Sequence, residues 1–459
     1  MSPDAAAQEN GVPARRAALS VVLAVGLSLA LYAASPFTAP VTKGLCLLVF
    51  IGVLWLTEAL PLPVTALVVP VGALALGIPG LTTAGALAPF ADPIVFLFLG
   101  GFALASALRA QQLDRKMARF LLALAGGHLG RAVWLLFGLT ALLSMGISNT
   151  ATVAMMLPLT LGMLEPLDPQ RERRTITFVL LGVAYAASIG GMGTLVGSPP
   201  NAIAARAAGI DFAQWLWIGV PLVGVLLPLM GLVLWLVLRP ALDQRIDTVA
   251  DEVPWTGPRV LTLVVFALTA LGWTLGADPL RQMGIQSPDT VVALAAAIAV
   301  VALGLVRWRA VVAHTDWGVL ILFGGGLALS DVLATSGASV VLGEQLAGLL
   351  QGAPVWAVLL AVAAFMVVLS EFASNTAAAA LLVPVFAAVA GQMGLPVETL
   401  VIVVALAASC GFALPVATPP NALVFGSGHV RQRDMLRAGV WLNAVCVGVL
   451  TLWAVLTLL

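Results

Sequence analysis

Charge is what this chain has least of. Asp, Glu, Lys and Arg make up 9% of its 459 residues and 61% are hydrophobic, against about 25% charged and about 45–50% apolar in a soluble domain. That balance excludes a soluble globular protein and indicates a membrane protein. The apolar residues fall in successive segments of about 20, and at about 1.5 Å per residue each can cross a hydrocarbon layer of about 30 Å. Cysteine is nearly absent: Cys46, Cys410 and Cys446 all lie in apolar segments, so neither a disulfide framework nor a zinc spacing is available. The three histidines, His128, His314 and His429, sit beside loops without metal-ligand spacing. Lys and Arg form no block of the nucleic-acid-binding kind, and the net charge is zero. Gly324-Gly325-Gly326 lacks the following Lys-Ser/Thr of a phosphate loop and reads as close helix packing.

Within this apolar background, polar residues recur in pattern. The N-terminal MSPDAAAQENGVPARR is followed by an apolar run without a small-residue cleavage site, which reads as a retained first span. Apolar length and Pro/Gly/charge punctuation predict eleven spans, at about 17–35, 42–60, 64–79, 92–109, 176–196, 212–238, 259–276, 290–306, 317–334, 399–426 and 438–457. Two stretches remain, about 132–165 and 354–392, each turning at a central Ser-Asn-Thr. We read them as re-entrant helical hairpins that enter and leave by one face.

The bias of Lys and Arg toward cytoplasmic loops tests that reading. With the N-terminus inside and both hairpins re-entrant, 18 of the 21 Lys and Arg residues fall on the cytoplasmic side and only Lys43, Arg206 and Arg281 fall outside. The first hairpin then opens from the cytoplasm, the second from outside, and the C-terminus lies outside.

Self-comparison points the same way. FLGGFALASAL (98–108) matches FGGGLALSDVL (323–333), SNTA at 148 matches SNTA at 374, and GSPPNA (197–202) matches ATPPNA (417–422), at offsets of 225, 226 and 220. An odd number of crossings between equivalent points makes the second copy inverted, the architecture of many secondary transporters. The expected fold class is an all-α polytopic membrane protein with an inverted-topology repeat. Residues 1–40 form the tail and first span, 41–245 the first repeat and 246–459 the second.

A polar tip at membrane depth persists only where protein or water satisfies its backbone groups. Ser, Asn and Thr offer donors to an anion and oxygens to a small cation, and none of them titrates. Pro199-Pro200 and Pro419-Pro420 break helices and free carbonyls at Gly197, Ser198, Ala417 and Thr418. With Ser144 and Ser370 these make an oxygen-rich shell suited to hard cations. An intramembrane enzyme would need a nucleophile and base at depth. Neither triplet has His, Lys or Asp nearby in sequence, so the chain does not read as an enzyme. A channel would have no use for inverted hairpins. Glu371, beside the second triplet, is an intramembrane acid and a functional suspect, with capping or anchoring as the alternative; Glu58 reads as structural.

SNTA twice, each with a downstream PPN, together with WLTEALPLPVTAL near the start, resembles the divalent anion/sodium symporter family over about residues 40–459. The resemblance implies a homodimer whose protomers each combine a scaffold domain with a transport domain that carries both hairpins and moves like an elevator. It also implies that Ser148, Asn149, Thr150, Ser374, Asn375 and Thr376 hold substrate carboxylates, helped by Ser198, Thr418 and Pro419. One Na⁺ would use Ser144, Ser148, Asn149 and Gly197, and another Ser370, Ser374, Asn375 and Ala417, giving at least two co-transported ions. Where the family often has Thr, this chain has Ser370, which keeps the hydroxyl. Some members are sodium-independent exchangers in which basic side chains stand in for the cations. The four motif segments contain no Lys or Arg, which favours sodium coupling. The expected function is Na⁺-coupled import of C4-dicarboxylates such as succinate, malate or fumarate across a bacterial inner membrane. The alternatives are sodium-independent exchange, or transport of citrate or sulfate.

Overall fold

The computed structural model describes residues 14–245, 254–350 and 352–458; residues 1–13 of the polar N-terminal stretch read above lie outside them. Among the described residues nine helices are long and apolar enough to span a membrane. Eight coincide with predicted spans, and the ninth, Asn375–Gln392, is the second arm of the second hairpin. The predicted spans at 64–79 and 290–306 form the shorter helices Leu62–Ala75 and Pro288–Ala302. Helices Leu113–Leu124 and Ala338–Leu349 were not foreseen, the first because its charged, amphipathic sequence reads as a loop to a search for apolar length.

Both hairpins form where expected. The first runs Leu129–Ser144 up and Asn149–Leu164 back, the second Val355–Ser370 and Asn375–Gln392. Each triplet is a helix start rather than a coil. Ser148 occupies the N-cap and accepts from the Ala151 N–H, and Ser374 does the same for Ala377, the position where serine stabilises a helix by about 1 kcal/mol.

The PPN motifs also begin helices. Arg173–Gly191 stops and the chain restarts at Pro199–Ala208; Val397–Ala408 stops and restarts at Pro419–Gly426. Proline suits these starts because its missing N–H falls among the unpaired donors of a first turn. The long halves are apolar all round and hence central: Thr175 to Gly191 and Thr399 to Ala408 are buried throughout.

The halves are exchanged between repeats. Pro199–Ala208 packs on Val397–Ala408 and on the second hairpin's Asn375–Gln392, while Pro419–Gly426 packs on Arg173–Gly191 and on the first hairpin's Asn149–Leu164. Such reciprocity is the signature of a two-fold relation. Side chains repeat it: Asn201 Nδ2 donates to the carbonyls of Gly191 (2.9 Å) and Thr194 (2.7 Å), Asn421 Nδ2 to those of Gly411 and Leu414 (both 3.0 Å). The Asn of each PPN thus ties its restarted helix to the unwound stretch at the same two offsets.

The remaining helices pack around this pair. Gly324 and Gly325 lie against Phe90 and Ala66 so closely that a Cβ would collide with backbone, so the glycine run is helix packing. Glu58 adopts φ +48° as the C-cap of Ala39–Thr57, a structural role.

Candidate functional site

The first tip brings together the residues expected there and one that was not. The carboxamide of Asn149 faces three acceptors: Ser144 Oγ at 2.6 Å, the Ala187 carbonyl at 3.1 Å and the Gly197 carbonyl at 3.2 Å. With its oxygen turned inward it accepts from the Ser144 hydroxyl at 2.6 Å, and the two carbonyls stand beside that pair. Its nitrogen turned inward supplies two protons to three acceptors. Ser144 is fully buried, and Gly197 and Ser198 are buried, while Ser148 and Asn149 are half-buried and Thr150 is exposed.

Glycine makes this approach possible. A Cβ on Gly191 would strike the Asn149 carboxamide, and one on Gly197 would stand 2.6 Å from the Gly191 carbonyl and 2.8 Å from that of Ser144.

The second tip repeats the Ser–Asn pair. Ser370 Oγ, fully buried, lies 2.8 Å from Asn375 Oδ1 and 2.7 Å from the Ala408 carbonyl. One hydroxyl proton cannot serve both, so an oxygen-rich cluster forms here too. Ala417 and Thr418 are buried beside it, Ser374 and Thr376 are half-buried and Pro419 is exposed. Thr418 caps its helix by accepting from Asn421 N at 3.3 Å; Ser198, its counterpart, instead meets Ser409 Oγ at 3.3 Å across the repeat boundary.

Sequence reasoning missed the Ala187 and Ala408 carbonyls, since a backbone oxygen leaves no mark on residue identity. The proximity of each to the end of its central helix, four or fewer residues before the break, was the available signal. Sequence reasoning also left Glu371 undecided. Its carboxylate, 6% exposed, accepts from Ala413 N and Leu414 N, both at 2.8 Å, and from Asn443 Nδ2 at 2.6 Å. It anchors the unwound stretch of the second repeat. In the first repeat Thr194 does the equivalent work: its hydroxyl bonds the Met145 carbonyl and accepts from Gly197 N at 3.0 Å.

The two clusters are joined. Tyr185, on the first central helix, donates from its hydroxyl to the Phe412 carbonyl in the second break at 2.6 Å, and the two rings pack at 4.9 Å. The site is therefore built from two oxygen-lined half-sites, each with a capped helix N-terminus and a broken helix, locked to one another. Helix N-termini favour anions and unwound carbonyls favour cations, so the assembly can hold both.

Comparison with known proteins gives concordant results. The family described as "Citrate transporter" matches residues 52–398 and 288–459. An uncharacterized transporter of Haemophilus influenzae is 49% identical over 423 residues, covering 90% of this chain and 91% of that protein. The sodium-dependent dicarboxylate transporter SdcS of Staphylococcus saprophyticus is 32% identical, covering 89% and 84%. Among solved structures, the Alcanivorax borkumensis YdaH transporter superposes with a TM-score of 0.60 at 16% identity, over 82% of this chain and 87% of that one, which is a likeness of fold.

Proposed function

Because the chain belongs to the divalent anion/sodium symporter family, multi-pass membrane transporters and not enzymes, we propose that it imports C4-dicarboxylates such as succinate, malate or fumarate together with sodium. The observation that carries this reading is the doubled oxygen cluster. Asn149 faces Ser144, Ala187 and Gly197, and Ser370 faces Asn375 and Ala408, each at the mouth of a capped helix.

Charge supplies the logic. A dianion brought into a low-dielectric midplane without cationic partners would be prohibitively costly. Two Na⁺ ions held by Ser144, Ser148, Asn149, Ala187 and Gly197, and by Ser370, Ser374, Asn375, Ala408 and Ala417, supply the positive charge. Sodium binds first and orders the tips. The substrate carboxylates then take the hydroxyl and amide donors of Ser148, Asn149, Thr150, Ser374, Asn375 and Thr376, with Ser198, Thr418 and Pro419 alongside. Substrate affinity rises with Na⁺ by linkage.

Both hairpins and both broken helices move as one transport domain against a scaffold domain of a homodimer, in elevator fashion. The protein sits in the cell inner membrane with its N-terminus cytoplasmic and its C-terminus outside. The Tyr185–Phe412 bond supports a single moving body, since it ties the half-sites together. The family description of a citrate transporter supports citrate as the second substrate reading.

The test is radiolabelled succinate uptake into empty proteoliposomes under an inward Na⁺ gradient or an equal choline gradient. Uptake that requires Na⁺ is the expected result. Uptake only into vesicles preloaded with succinate, whatever the cation, would make the protein an exchanger; uptake of citrate but not succinate would replace the substrate.

A further inference from the structure

Beside the first tip lies a small solvent-open cleft, about 40 Å³ in volume, whose lining includes an arginine and a histidine. Ser148 and Met155 of the first hairpin face Phe102 and Arg109 of Pro93–Ala110, with His314 closing one side. The two basic residues come from separate helices, 205 positions apart in the chain. Neither makes a salt bridge among the described residues. The position equivalent to Arg109 in the second repeat, at the offset of 225, carries Ala334, so packing of this helix type does not itself call for a long cation. Ser148 Oγ accepts from Ala151 N at 3.3 Å and keeps its own proton to donate. The positive end of Asn149–Leu164 points into the same space.

We propose that this cleft is a second anion site, a vestibule that holds one carboxylate of the transported anion between Arg109 and His314 as it enters or leaves by way of Ser148. The apolar walls of Phe102 and Met155 suit the carbon chain between carboxylates. The cleft concentrates anions without sodium, whereas the doubled oxygen clusters need sodium to tolerate them; the proposal rests on the transport reading above.

Thiol labelling tests it directly. Cys46, Cys410 and Cys446 are all buried, so Ala105→Cys places a reporter in the cleft wall. An anionic methanethiosulfonate reagent should label it about three- to tenfold faster than a cationic reagent of similar size, through local concentration by the basic pair. Succinate in choline buffer should slow that labelling. Arg109→Gln should abolish the preference, Arg109→Lys should retain it, and His314→Gln should reduce it. Equal labelling by the two reagents, a preference that survives Arg109→Gln with His314→Gln, or no labelling by either reagent would overturn the vestibule. The readout needs no transport. Sodium-dependent succinate uptake without a charge preference would sink the vestibule alone, and a charge preference in a protein that carries no succinate would sink the transport reading alone.

Discussion

The two tips share a Ser–Asn pair, Ser144 with Asn149 and Ser370 with Asn375, and support it by different means. In the first repeat a neutral threonine, Thr194, bridges the hairpin carbonyl of Met145 and the Gly197 N–H. In the second, a buried carboxylate, Glu371, reaches from the hairpin to two N–H groups of the unwound stretch and to Asn443. The sequence alignment pairs Glu371 with Met145 and Leu414 with Thr194. Each polar support therefore arose opposite an apolar residue, from the hairpin in one copy and from the break in the other. What the pseudo-symmetry conserves is the Ser–Asn pair of each tip and the Asn tether of each PPN. The scaffolding beneath them is free to differ, a carboxyl group in one copy and a hydroxyl in the other.

Substitutions can break this comparison or sharpen it. The largest effects are expected at the shared atoms: Asn149→Ala and Asn375→Ala should each abolish Na⁺-driven uptake while the purified protein keeps its size-exclusion profile. Near wild-type uptake in either variant would remove that half-site from the assignment. Next comes Glu371→Ala, which strips three hydrogen bonds from a buried charged acceptor. At about 1.5–3 kcal/mol for a bond to a charged group, a clear fall in melting temperature in detergent is expected, along with weaker Na⁺ dependence of uptake. A melting curve like that of the parent would show that the second break is held by something else.

Thr194→Val, the matching change in the first repeat, should cost less, about 1–3 kcal/mol, because a neutral hydroxyl is lost and one buried N–H is left unpaired. A cost equal to that of Glu371→Ala would erase the difference between supports. Thr418→Ala should do least to the fold, about 1 kcal/mol for a helix cap, and should weaken apparent succinate affinity several-fold with the Na⁺ requirement intact. Ser198→Ala, whose hydroxyl does not cap its helix, is the control in which no such capping loss is expected.

Much of this architecture was legible in the sequence, because its signals are side chains in unlikely places. Ser-Asn-Thr in mid-membrane, PPN after a long apolar run and the repeated offsets located the hairpins and helix breaks to within a few residues. The unread parts have physical reasons. Ala187 and Ala408 act through carbonyls that every residue possesses. Glu371 and Thr194 act on backbone 42 and 49 residues away in the chain, a pairing that no local pattern encodes. Arg109 read as part of a cytoplasmic basic cluster and His314 as a loop-side histidine until the fold placed them beside Ser148.

The exchange of half-helices between repeats has a consequence for how the chain is made. Pro199–Ala208 is synthesised about 190 residues before the partner helix Val397–Ala408 against which it packs. Until Val397–Ala408 has been made, Asn201, fully buried in the finished fold, and its unwound stretch lack part of their enclosure, and exposed backbone is costly in a membrane. Biogenesis of the first repeat is therefore a holding operation that only the emergence of the second can end.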